Sequence, residues 1–423
     1  MKNKIVKIGI LIATMGILLT ACKKSDFDNN YYDPEKTVNS TVEGLFGGLF
    51  NNPRVLPRYW NLYTFHIPML GMYSQTIGYT NGNRIYEQAV NYTQDRWNDY
   101  YTGTIARYRE LEKAYGKYTE EPQKSQYLLF VEIARIFVYD QTAQMVDMWG
   151  DIPFSHAGQL NASGGSIILS DYDNAQQLYY FLMDDLKRIS DYLSTANPDA
   201  FYRNQLAKYD YVNGGSITRW RKYANALRLR LAMRISYSDE TKAKGIAMEI
   251  LNDPTKYPLP ANSDSTIQIK ANPPSLNSLD IRSGFGVGNL APGYMLNNVM
   301  RPSGDPRLPV YFTTNKNGEY QGVPNDWSAT RQADSTTADF FSRIDSVTFS
   351  ENDRFPGIIL TSSEAYFCKA EAFERWGGGD AKAAYEQGIW QSINYYYYLN
   401  HLNERYGTPD PVPDTATILN FLN

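Results

Sequence analysis

Cysteine is almost absent from this chain, with Cys22 and Cys368 the only two in 423 residues. Histidine is nearly as scarce. His66, His156 and His401 stand in neither HExxH nor any other metal-ligand spacing, so zinc hydrolysis has no support and no metal or cofactor is expected. Basic charge is not in excess either: 41 Lys and Arg against 45 Asp and Glu leave a formal charge of −4. Nucleic-acid binding wants a basic patch or domain, so that class of partner is excluded. No G-x-S-x-G elbow occurs. GFGVG (284–288) lacks the G-x-G-x-x-G spacing and a strand–helix context, and reads as a loop rather than a phosphate cradle. The doublets Asp184–Asp185 and Glu120–Glu121 are sequence neighbours that do not face one another. The apolar run Ile8 to Leu19 covers twelve residues, whereas a membrane-crossing helix needs about 20.

That short run carries information of its own. Lys2, Lys4 and Lys7 precede it and small residues follow, the pattern of a secretory signal peptide over residues 1–21. Leu19, Thr20, Ala21 and Cys22 resemble the bacterial lipobox. There the thiol takes a diacylglycerol, the signal is cut before the cysteine and the new amine is usually acylated. Two or three acyl chains anchor a protein stably; one holds only marginally. A lipidated Cys22 leaves Cys368 as the sole thiol, so an intramolecular disulfide is excluded and a cysteine-ligated structural metal is not expected. Burial alone must hold the fold, and the chain is long enough for a large core. Without the three lysines of the signal the balance becomes 38 against 45, near −7. Residues 22–42 are polar, show no sustained period and read as a flexible tether.

From residue 43 helical periods dominate. Helices are expected over 103–118, 126–149, 174–193 (with Asp171 as cap), 216–236, 239–253, 362–377 and 380–400, the last capped by Asp380. In 216–236 Trp220, Ala224, Leu227, Leu231 and Ile235 fall on one narrow stripe at 100° per residue. Arg221, Arg228, Arg230 and Arg234 flank the stripe. Their stems are expected to cover its borders while their heads pair with acids on neighbouring helices. Between about 254 and 345 Pro, Gly, Ser, Asn and Asp punctuate short apolar pieces. A segment of that length without clear helices is more often functional than idle. Helix pairs with small residues at their contacts suggest a mainly α scaffold of tetratricopeptide-like pairs, although no clean 34-residue repeat is present. The expected organisation is one domain over 43–423 with an irregular insertion. Cys368 falls near Ala365, Ala372 and Trp376, and reads as a small packing residue rather than a nucleophile.

Four stretches resemble the SusD/RagB family of nutrient-binding outer-membrane lipoproteins from Bacteroidota: DMWGDIPF (147–154), WRKYANALRLRLAMRIS (220–236), DPRLPVYF (305–312) and ILTSSEAYFCKAEAFERWG (359–377). The core from Ser363 to Ala372 is the most specific of them, and their order together with the lipidated start is more specific still. The resemblance spans the mature chain. It implies an α-helical scaffold of four tetratricopeptide-like helix pairs and a face of loops that binds oligosaccharide or another nutrient. It further implies a place on the cell surface above a SusC-like TonB-dependent β-barrel, to which the protein delivers ligand as a hinged lid. Asp26 and Asp28, soon after the anchor, resemble surface-export signals of these bacteria. Family members continue into a C-terminal segment rich in Trp and Arg, whereas this chain stops at DTATILNFLN, which reads like the opening of a helix; a truncated chain is the expectation.

A sugar offers apolar C–H faces to aromatic rings and hydroxyls to Asn, Asp or Arg. With 35 Tyr and 14% aromatic residues the chain has such rings to spend. Its early region and its irregular segment supply the candidates: Tyr79 and Arg84 in TIGYTNGNRIY, Arg96, Trp97, Asn98 and Tyr101 in TQDRWNDYYTG, Tyr294 in PGYM and Trp327 in NDWS. The alternative for each is packing against its own helix or loop. The competing functional class is a surface glycosidase or other hydrolase using a separated carboxylate pair.

Overall fold

Runs that read as helical in sequence become packed helices in the computed structural model, which describes residues 40–81, 86–87, 90–160, 166, 169–270, 278–285, 289–403 and 405–422. The signal sequence, Cys22, Asp26, Asp28, Arg84 and the last three residues of GFGVG lie outside that set. The principal helices are α1 (Val42–Leu49), α2 (Val90–Asn98), α3 (Ala106–Tyr115), α4 (Gln123–Trp149), α5 (Ala175–Thr195), α6 (Ala200–Tyr209), α7 (Ile217–Arg234), α8 (Glu240–Asn252), α9 (Ser278–Phe285), α10 (Ala329–Thr337), α11 (Ser362–Trp376), α12 (Ala381–His401) and α13 (Thr415–Leu422). Consecutive members pack on one another as α3 with α4, α4 with α5, α7 with α8, and α11 with α12.

α7 is the centre of the scaffold. It packs on α4, α5, α8 and α11, and Trp220, Tyr223, Leu227, Leu229, Leu231 and Met233 are all buried. The expected narrow stripe is therefore only part of a helix covered on most sides, because four neighbours rather than one surround it. Its arginines reach outward to acids as expected: Arg228 to Glu249 at 2.8 Å, Arg230 to Asp140 at 3.2 Å and Glu364 at 2.6 Å, Arg234 to Asp147 at 2.9 Å. Arg221 differs and donates to the Lys256 carbonyl at 2.8 Å.

Several helix starts carry a local side-chain cap. Ser216, Asp239, Thr361 and Asp380 each accept a backbone N–H in the first turn of α7, α8, α11 and α12. On α5 the cap is Asn174, not the expected Asp171. The neighbouring Asp173 is committed to Phe154 and Ser155.

The irregular segment is more ordered than its composition suggests. Among its described residues it contains α9, α10 and a π-helical turn at Tyr294–Met300. Its short strand β1 (Ile267–Ile269) pairs antiparallel with β2 (Gly357–Leu360), Ile267 opposite Leu360. Isolated bridges join Leu290 to Gly78 and Arg343, Pro292 to Val323, and Phe312 to Ile344. These pieces close over a second core in which Leu62, Ile67, Ile281, Phe285, Leu296 and Phe312 meet. DTATILNFLN opens a helix, α13, whose Ile418 is buried with Val310, Ile393 and Tyr397.

Candidate ligand-binding surface

RYWNLYTFHIP (58–68) places aromatics one and four residues apart. One α-helical turn, Tyr59–Asn61, runs on into a π-helical stretch, Leu62–Gly71, with Pro68 inside it. Proline lacks the N–H that a regular ladder uses, and wider π turns recur at functional sites. Tyr59 stacks on Tyr63 with ring centres 5.4 Å apart. Trp60 and Tyr63 both meet the edge of Tyr92 from α2, at 5.6 and 5.8 Å. The Trp60 indole N–H donates to Asp95 at 3.1 Å, which fixes the ring while leaving it 45% exposed. The far end of the stretch carries a second aromatic group. Tyr73, 57% exposed, meets Tyr86 edge-on at 4.9 Å and donates to its carbonyl.

The middle of the chain is drawn to this early region through backbone contacts. Gly78 bridges Leu290, and a Cβ at Gly78 would stand 2.3 Å from the Ala291 carbonyl oxygen, so only glycine permits the approach. Asn81 acts as a clasp, its Nδ2 donating to the carbonyls of Asn325 and Trp327 at 2.9 and 2.7 Å. Its backbone N–H donates to the buried Gln332 side chain. Trp327 lies under the Arg331 guanidinium at 3.5 Å and stacks towards Phe340. Tyr294 opens the π-helical turn after Gly293 and is 59% exposed.

The eight candidates thus divide. Tyr79 belongs to the loop cluster but is buried, hydroxyl to hydroxyl with Tyr86; burial first and that contact second push its phenol up to about 12. Tyr294 presents ring surface from the middle region, whereas Trp327 is half-buried between Arg331 and Phe340. Asn98 is exposed on α2. Arg96 is buried: its guanidinium lies 4.0 Å over Phe65 and donates to Gln144 at 3.0 Å. Burial and then Arg54 lower Arg96 to about 10, and Asp99 opposes them. Trp97 packs on Tyr101 and Trp149 at the margin of the main core, while Tyr101 donates to the Pro153 carbonyl at 2.9 Å. Arg84 lies outside the described residues. The aromatic group of exposed Trp60 with half-buried Tyr59, Tyr63 and Tyr92 was not among the candidates; the dense Y-W-x-x-Y spacing of 59–63 is the signal that marks it.

No group of three or more His, Cys, Asp or Glu suited to a metal occurs among the described residues. Cys368 packs against the main core, and burial pushes its thiol up to about 12, which disfavours a thiolate nucleophile. No helix among the described residues is long and apolar enough to cross a membrane.

A family model described as starch-binding and associating with the outer membrane matches residues 37–413. The chain belongs to the SusD-like family. Solved structures agree on the fold. A chitin-binding protein aligns with a TM-score of 0.72 at 19% identity, over 90% of this chain and 79% of that one. A chitin-binding SusD homologue from Flavobacterium johnsoniae aligns at 0.65 and 24% identity, over 84% and 70%. A SusD-like protein from Bacteroides thetaiotaomicron aligns at 0.65 and 20% identity, over 84% and 70%. No curated protein matches the sequence.

The stretches that carry the SusD-like resemblance are joints of the scaffold. In DMWGDIPF, Gly150 turns with φ of 72°, and Asp151 accepts the Ala175 N–H at 2.8 Å at the start of α5. In the α7 stretch Arg230 holds Glu364 of the SEAYFCKAEA core through two hydrogen bonds of 2.6 and 2.8 Å. Ser363 donates to the Gly388 carbonyl of α12. In DPRLPVYF, Arg307 pairs with Asp305 and donates to Ser392 of α12 at 2.9 Å. These SusD-like motifs therefore secure helix contacts, and the rings available to a ligand lie elsewhere.

Proposed function

We propose that this SusD-like protein is a lipid-anchored nutrient-binding protein of the outer membrane that holds an oligosaccharide and delivers it to a TonB-dependent β-barrel. The observation that carries the binding reading is the fixed, exposed ring of Trp60 among Tyr59, Tyr63 and Tyr92. A pre-positioned aromatic face gives a sugar's C–H surface somewhere to stack without an ordering cost. Asp95 beside Trp60, and Asn98 on the same helix, supply polar groups for hydroxyls. Tyr294 and Trp327 extend the surface from the middle region, as the resemblance implies. The family description and the chitin-binding neighbours support a glycan as ligand. A glycosidase needs a general acid kept protonated in a cleft, whereas Asp173 and Asp185, in the cavity between α3, α4 and α5, are both held below the usual carboxylate range.

Calorimetry of the full-length protein in detergent against starch- and chitin-derived oligosaccharides, with product analysis, tests the proposal. Saturable binding without turnover is expected, and Trp60→Ala should weaken it roughly tenfold or more, as removal of a central aromatic anchor does. Turnover by the pure protein, or unchanged affinity in Trp60→Ala, overturns it. Co-purification with a β-barrel transporter tests delivery separately.

A further inference from the structure

A large cavity stands apart from the loop face. It lies on the helical scaffold between α3, α4 and α5, bounded by the Phe154–Ser155 turn and by Tyr172–Asn174, and has a volume of about 820 Å³. Small-ligand sites run from roughly 300 to 1,000 Å³.

Its charges are already spent on one another. Arg109 donates to Glu112 at 2.6 Å and to the carbonyls of Ala157 and Phe154 at 3.0 and 2.9 Å. Asp173 accepts the N–H groups of Phe154 and Ser155 at 2.7 and 2.9 Å and the Ser155 hydroxyl at 2.5 Å. Burial works against its charge, but these bonds outweigh burial and keep it ionised. Asp185 accepts from Tyr139 at 2.7 Å and pairs with Arg188. A charged ligand would have to break pairs whose partners would then stand uncompensated.

The groups left to a ligand are neutral or weakly engaged. Among the described residues the Gln177 amide, the Asn174 Nδ2 and the Tyr172 hydroxyl have no hydrogen-bond partner, and Arg135 Nη2 reaches only Glu112, at 3.7 Å. Two rings face the space: Tyr172 is 66% exposed and Phe181 49% exposed. Phe181 is held from behind by Tyr139 and Phe154, with ring centres 5.9 and 6.4 Å away. Among the described residues the walls are chiefly helical, with no named strand for a peptide backbone to pair with. One held ring at Phe181, an exposed ring at Tyr172, amide and guanidinium donors and a hydroxyl are together complementary to a neutral, polyhydroxylated ligand with an apolar face.

We propose that this scaffold cavity is a second saccharide-binding site, separate from the Trp60 surface, with Phe181 and Tyr172 stacking on the sugar and Gln177, Asn174 and Arg135 meeting its hydroxyls. It shares only its ligand class with the proposed function. The test is calorimetry and saturation-transfer NMR on the full-length protein in detergent, using maltohexaose, chitohexaose, an oligogalacturonate and tri-alanine as probes. A neutral oligosaccharide is expected to bind a site that Phe181→Ala weakens roughly tenfold or more and that Trp60→Ala leaves intact. Gln177→Ala, an exposed polar change that threatens no packing, should weaken the same site and guards against a folding defect in Phe181→Ala. If Trp60→Ala is silent while Phe181→Ala and Gln177→Ala act, the cavity site stands and the loop-face reading fails. The proposal is overturned if no neutral saccharide shows binding dependent on Phe181 and Gln177, or if the cavity prefers the galacturonate or the peptide.

Discussion

Arg230 shows how much a single side chain can organise here. Its guanidinium pairs with Asp140 of α4 and Glu364 of α11 and also donates to the Ile359 carbonyl at 3.1 Å. Asp140 is fully buried and accepts the Tyr223 hydroxyl at 2.6 Å as well. Removing one member of such a set leaves the other charge in a medium that cannot solvate it. Arg230→Ala should therefore cost roughly 3 kcal/mol in urea unfolding. Arg230→Met, which keeps the packing stem, should cost less, and Arg230→Met/Asp140→Leu less again. If the single and double variants lose equal stability, the pairing contributes nothing beyond packing. The contrasting case is Arg54 and Arg96, two buried guanidiniums that share Asp99 as their nearby carboxylate, Arg54 at 2.6 Å. Sequence showed Arg96 beside Trp97 and suggested a ligand contact. Phe65 and Gln144, which hold it inside, are 31 and 48 positions away and leave no local mark.

At the scale of elements, helix ends were legible where the cap is local and illegible where a distant residue intervenes. Asp380 caps α12 as its position announces, whereas on α5 Asn174 rather than Asp171 is the cap, with Asp173 beside it bonded to the Phe154 turn. Joints between helices also set the pH response. Glu249 of α8 accepts from Lys187 of α5, from Arg228 of α7 at 2.8 Å and from Tyr257 at 3.1 Å. Burial opposes its charge, yet the bonds from Lys187 and Arg228 prevail and lower its carboxyl from the ordinary 4.5 to about 2. A carboxyl with a depressed pKa adds stability that is fully present above its unfolded value and is lost as pH falls through the folded one. Glu249's contribution should therefore fade between about pH 4.5 and 2. Melting temperature followed across that window should fall less steeply in Glu249→Gln than in the wild type. Parallel curves would mean that the α5–α7–α8 joint does not titrate.

For the whole molecule, the proposed anchor and the two proposed sugar sites make separable demands. Cys22→Ala should abolish labelling by fatty acid and move the protein from the membrane to the soluble fraction while leaving glycan affinity unchanged; continued membrane retention would point to another attachment. The helical class, the order of the scaffold helices, the arginine-to-acid pairing on α7 and the SusD-like resemblance were all legible in the sequence. They depend on periods, caps and motifs confined to neighbouring residues. What the sequence could not show was which aromatic rings remain exposed. A tyrosine looks the same in sequence whether it lies beneath a loop, like Tyr79, or holds an open face, like Tyr73. Only the tertiary fold decided that, by drawing residues 290–332 onto the loops after Gly71, by closing Arg96 inside, and by leaving Trp60 and Phe181 open. Ring exposure is set by contacts between segments far apart in the chain, and local sequence does not record them.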